Sequence, residues 1–137
     1  MRATYRVLAM LIAIGVVLQA AFIAWGTFGI WNDSDNGKSF QKDSPGPGFL
    51  AHSIGGNAIV LIALVLLILS FFAHIPGGVK WAAITFGVAV LQYALVIVSF
   101  PVPVLGLLHG INAFALAGVA SIAARKARVT SAPAVTV

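Results

Sequence analysis

His52 and His109 each fall within about two turns of the start of a long apolar segment. An ionisable side chain inside hydrocarbon is costly, so its default reading is functional, and each of these histidines is the other's best partner. If the two segments run in the same direction, the imidazoles lie at similar depth in one leaflet. There they could clamp a metal-centred macrocycle from opposite faces. The chain has no cysteine, which excludes disulfides, thiolate ligands, iron–sulfur clusters and covalent c-type haem attachment together. Histidine is left as the metal ligand.

Small neighbours sharpen this reading, because a flat ring between helices needs space. Gly55 and Gly56 follow His52 at i+3 and i+4, and Asn112 and Ala113 follow His109 at the same spacing. The expected cofactor-binding set is therefore His52, His109, Gly55, Gly56, Asn112 and Ala113, with the two histidines as metal ligands. Taken singly, a histidine near a helix end is as readily an interfacial residue bonded to water or a lipid headgroup. Asn57 and Asn112 are expected as buried amides that either orient an imidazole through its free nitrogen or form interhelical hydrogen bonds. Gln19 and Gln92 lie about twelve residues into their helices, at equal depth, and are expected to bridge as an interhelical amide pair, directly or through a shared water. Contact with a bound ligand or a quinone head is the alternative.

His74 stands 22 positions after His52, about 33 Å along a straight helix, and so belongs at the opposite end, with no second histidine there. A helix-ending interfacial position suits it better than a thioether partnership with Met10. Trp25, Trp31, Trp81 and Tyr5 fall near segment ends, as an aromatic belt would.

The elements that must position these residues follow from composition. The chain of 137 residues is 61% hydrophobic and 8% charged, with a mean hydropathy of +1.05, the signature of an integral membrane protein. Four segments reach the roughly 20 apolar residues that a bilayer requires: about 7–31, 50–73, 81–100 and 104–124. The first runs well past a signal-peptide apolar region. Pro76, Gly77 and Gly78 mark one tight turn, Pro101 and Pro103 another. Residues 32–49 form a polar loop, and 129–137 a tail too short and polar to fold alone. The expected fold is an all-α, up-down antiparallel bundle of four transmembrane helices, a single domain over 1–128. In it the second and fourth helices are parallel, and the two histidines differ in depth by roughly 4 to 5 Å. Gly106, Gly110, Ala113, Ala117, Ala120 and Ala124 form a small-residue face on the fourth helix that should point inward.

Net charge is +5, yet the basic residues flank apolar runs rather than forming a patch for nucleic acid, which is not expected as a partner. Arg2, Arg6, Lys80, Arg125, Lys126 and Arg128 fall on one side of the bundle, with Lys38 and Lys42 on the other. This partition predicts both termini in the cytoplasm and the histidines in the outer leaflet.

With His52 in "AHSIGG" and His109 in "LLHGINAF", the pattern resembles one four-helix half of the heme A synthase type of membrane protein. There, histidines on the second and fourth helices face each other across a b-type haem. The acidic residue that this family carries one turn before its second-helix histidine has no counterpart in Pro47, Gly48, Phe49 or Leu50, so the resemblance implies holding a haem rather than oxidising one. The chain also resembles a family of small uncharacterised bacterial four-helix proteins with a glutamine in the first helix, a histidine and glycine in the second, and Leu108, His109, Asn112 and Ala113 in the pattern Leu-His-x-x-Asn-Ala.

The expected function is a small membrane cytochrome holding haem b for electron transfer or haem handling. Its partners would be the lipid bilayer and either quinol or a redox partner protein, with a homo- or hetero-oligomer allowed. No catalytic residue is expected, because the polar loop has no nucleophile paired with a base. The alternative is a cofactor-free accessory subunit of a larger membrane complex.

Overall fold

Apolar runs of this length leave the backbone no partner in hydrocarbon except itself, and helices result. The computed structural model describes residues 1–39 and 44–129 and contains α1 (Arg2–Asp35), α2 (Pro47–Ser70), α3 (Gly78–Ser99) and α4 (Gly106–Val129), with a short 3₁₀ turn, Pro103–Leu105, leading into α4. All four are long and apolar enough to cross a bilayer, the architecture of a multi-pass membrane protein. No strand occurs among the described residues.

The helices form an up-down bundle in which α1 packs on α2 and α4, and α3 packs on the same two. α1 and α3 face each other across one diagonal, α2 and α4 across the other. One end of the bundle carries the chain's first helix start, the α2–α3 turn and the end of α4. The Tyr5 hydroxyl donates to the Gly78 carbonyl at 2.9 Å there, and Arg2 donates to the His74 carbonyl. Tyr5 is fully buried, so it is a peg between α1 and the α2–α3 turn, not the belt residue its position near a span end predicts. The opposite end carries the α1–α2 loop and the α3–α4 turn; we call the two the terminal end and the loop end.

Several bounds differ from the apolar counts. α1 starts at Arg2 and runs to Asp35, and α4 continues through the basic cluster to Val129, because helical hydrogen bonding persists past the hydrocarbon wherever side chains are solvated. Lys126 and Arg128 in the last turn of α4 also suit the negative end of a helix dipole. The polar loop consequently shortens, with residues 32–35 in α1 and 47–49 in α2, where Pro47 takes the first helical position without losing a needed N–H. α2 stops at Ser70, and His74 adopts a left-handed backbone with φ of 51° in the turn that follows. The expected tail lies outside the described residues beyond Val129, as do Lys42 and Asp43 of the loop.

Packing is uneven along the bundle, and this positions the site. The buried core comprises Tyr5, Ala9, Ile12 and Val16 of α1, Ile59, Ala63 and Leu66 of α2, Ala82, Thr85 and Ala89 of α3, and Leu116, Ala120, Ala123, Ala124 and Ala127 of α4. Most of these lie in the half toward the terminal end, with Ala89 and Leu116 at mid-bundle. In the other half α1 and α2 close on each other through glycine. A Cβ on Gly48 would stand 2.3 Å from the Gly26 nitrogen, and one on Gly26 would stand 2.8 Å from the Phe49 ring. No such closure joins α1 to α4, and a cavity opens between them.

Candidate cofactor site

Pro47 starts α2 so that His52 faces inward one and a half turns later, and the turn at Pro103–Leu105 starts α4 just before His109. Both imidazoles and both glutamines, Gln19 and Gln92, line one cavity of about 580 Å³. That volume falls within the range of small-molecule and cofactor sites. Gly56, Gly106, Gly110 and Ala113 supply the small walls. Val17 and Phe114 also line the cavity while being 67% and 80% exposed. The opening is therefore lateral, toward the outer surface of the bundle between α1 and α4.

The rings of His52 and His109 lie with centroids 6.3 Å apart and planes inclined at 63°. Each presents Nδ1 to a main-chain carbonyl: His52 to Gln19 at 3.2 Å and His109 to Gln92 at 3.2 Å. A neutral imidazole that donates from Nδ1 keeps its lone pair on Nε2, the form that binds metals. The His52 Nε2 has no hydrogen-bond partner among the described residues.

A polar chain fixes the His109 side. The Asn112 side-chain amide donates to the Val88 carbonyl at 3.0 Å and to the Gln92 Oε1 at 2.6 Å. With its oxygen so engaged, Gln92 turns its NH₂ to His109, donating to the main-chain oxygen at 2.9 Å and contacting Nε2 at 3.2 Å. Asn112 thus acts on His109 through Gln92 and does not itself line the cavity. Gly55 does not line it either; its place is against Gln19, whose Nε2 would be 2.0 Å from a Cβ there.

Two sequence expectations are corrected here. Gln19 and Gln92 share the cavity but form no direct pair, because α1 and α3 are diagonal and Gln92 is held by His109 and Asn112; Gln19 Oε1 is left buried with no hydrogen-bond partner among the described residues. Asn57, expected as a buried amide, is exposed. It donates to the Ser53 carbonyl at 2.8 Å and accepts from the Tyr93 hydroxyl on the α2–α3 face. His74 lies at the terminal end, with Nδ1 on the Phe72 carbonyl at 2.9 Å. The Gln92–His109 bond escaped the sequence reading, although equal helical depth of the two residues on consecutive antiparallel helices was the signal that could have found it.

Donor chemistry at the site is limited. Among the described residues no group of three or more His, Cys, Asp or Glu side chains comes together, so the cavity offers two imidazoles and two amides in apolar walls. Two imidazoles bound on opposite sides of one metal, at about 2 Å per bond, hold their ring centroids roughly 6 Å apart. The ring spacing and the Nδ1 anchors are those that a metal held by one nitrogen from each ring would need.

Fold and site together define a helical multi-pass membrane protein with an intramembrane histidine pair. Residues 42–100 match the model of a family of unknown function, DUF6220. The match covers His52 on α2 and Gln92 on α3 and ends before His109. It agrees with the resemblance to small uncharacterised membrane proteins. No curated protein and no solved structure matches the chain, and the resemblance to heme A synthase gains no support.

Proposed function

We propose that His52 and His109 hold one b-type haem across the α2–α4 diagonal, and that the protein is a small membrane cytochrome for electron transfer or haem handling. The observation that carries this reading is the imidazole pair at 6.3 Å, each ring anchored through Nδ1 so that the ligand lone pair is on Nε2, open on His52 and in contact with the Gln92 amide on His109. Haem supplies one-electron chemistry when bound; the protein supplies ligands, orientation and a dry site. The lateral opening suits exchange of electrons with a membrane-borne carrier such as quinol, or with a protein docked beside α1 and α4. With both termini cytoplasmic, as the charge partition favours, in the bacterial plasma membrane that the resemblance implies, the site sits in the outer leaflet. Titrating detergent-purified apoprotein with hemin tests the reading. One equivalent should bind with a shifted, sharpened Soret band, and the absence of any saturable spectral change would refute it.

A second reading has its own observation. Asn57 and Tyr93 form a polar pair exposed on the α2–α3 face within the apolar spans, where lipid offers no hydrogen bonds. A cofactor-free accessory subunit would cover that face with a neighbouring helix. Such a protein would purify colourless and migrate in a larger complex in mild detergent.

A further inference from the structure

The two imidazoles are not equivalent. His52 Nε2 has no hydrogen-bond partner among the described residues, whereas His109 Nε2 lies 3.2 Å from the Gln92 amide nitrogen. Each proton in the chain that leads there is fixed by its neighbour. The Val88 carbonyl accepts from Asn112, which makes that end of the Asn112 amide its NH₂. The same NH₂ bonds Gln92 Oε1, so the other end of the Gln92 amide, facing His109, is its NH₂. The His109 Nδ1 meets the Gln92 carbonyl and must carry the ring proton, leaving Nε2 as acceptor. The Gln92 amide therefore sits on the lone pair of His109 that a metal would use.

We infer that Gln92 is a displaceable cap on His109, held in place by Asn112, and that a ligand is taken first by His52 and second by His109 once the amide has rotated away. This rests on the haem reading for its ligand but not for its geometry. Rotation costs Gln92 its contact with Nε2 together with its bonds to the His109 main-chain oxygen and to the Asn112 amide, losses that the bond formed by the second nitrogen must offset. Gln92 is a positioning residue in this scheme. It sets when the second nitrogen becomes available, and Asn112 sets how firmly the cap is held.

Two measurements on the full-length protein test the cap. The first needs no haem: diethyl pyrocarbonate acylates an imidazole through a free lone pair, and peptide mapping reads each histidine separately. His52 should react quickly and His109 slowly in the native apoprotein, and Gln92→Leu should speed His109 by roughly tenfold, the scale of one or two lost hydrogen bonds, with His52 unchanged. Asn112→Ala should give a smaller acceleration while leaving Gln92 itself in place, and it serves as the second variant should Gln92→Leu fold poorly. Equal reactivity of His52 and His109 in the native protein would overturn the cap.

The second measurement is stopped-flow absorbance with hemin. The native protein should bind in two phases, the later one converting a high-spin spectrum to a low-spin one, and Gln92→Leu should accelerate the later phase alone. An unchanged later phase would overturn the cap with the haem reading intact. No hemin spectrum from any variant, beside selective protection of His109 from acylation, would overturn the haem reading with the cap intact.

Discussion

His52 and His109 meet across the bundle diagonal with ring centroids 6.3 Å apart, although α2 and α4, which carry them, make no backbone contact. The space between those helices at the loop end is bounded by α1 and α3, whose glutamines line it without bonding each other. Side chains alone bridge the diagonal. A tightly packed terminal half holds the helices in register, so the loop half can stay open without loss of the fold.

The close contact of α1 and α2 at the loop end gives a prediction on stability. Alanine at Gly48 would place its Cβ 2.3 Å from the Gly26 nitrogen, and rigid backbone cannot yield, so the helices must part. Gly48→Ala should destabilise by about 1–3 kcal/mol, the usual scale of overpacking. Gly29→Ala, with nothing within 4 Å of its Cβ, should be near neutral. Thermal unfolding in detergent, followed by circular dichroism, compares the two.

Gly55 should behave differently, because the atom its Cβ would meet, 2.0 Å away, is the Nε2 at the mobile end of Gln19. Gly55→Ala should leave thermal stability within about 1 kcal/mol and push the Gln19 amide into the cavity. Hemin affinity should fall severalfold while the protein remains folded, and titration beside circular dichroism measures both. A large loss of stability would mean that Gln19 cannot move.

Topology is open to chemical labelling. Arg2, Arg6, Lys80, Arg125, Lys126 and Arg128 gather at the terminal end, which should keep that end cytoplasmic. A cysteine placed at Ser39 should react with a membrane-impermeant maleimide in intact cells, and one at Ser131 only after lysis. The reverse pattern would place the histidines in the inner leaflet.

Much of this was legible in the sequence. Apolar run lengths gave four helices, and counting residues from the turns put His52 and His109 at one end and His74 at the other. Depth follows from residue number, but rotation about the helix axis and the pairing of helices do not. Depth therefore matches Gln19 with Gln92 although they lie on diagonal helices, and it does not tell that the Asn57 side chain faces out. Tyr5 shows the same limit: position marked it as a belt residue, and only the α2–α3 turn folding back onto α1 buries it. The Gly26–Gly48 contact joins residues on either side of a loop, and no local pattern announces it.

The most direct test of the account is the reduced-minus-oxidised absorption spectrum of protein purified from haem-replete cells, alongside His52→Ala and His109→Ala. Two imidazole ligands should give a low-spin spectrum with a sharp Soret band and split alpha and beta bands, and either substitution should abolish it or convert it to a high-spin form. A low-spin spectrum that survives both substitutions, or a colourless protein that takes up no added hemin, would contradict the assignment of His52 and His109 as a haem-holding pair.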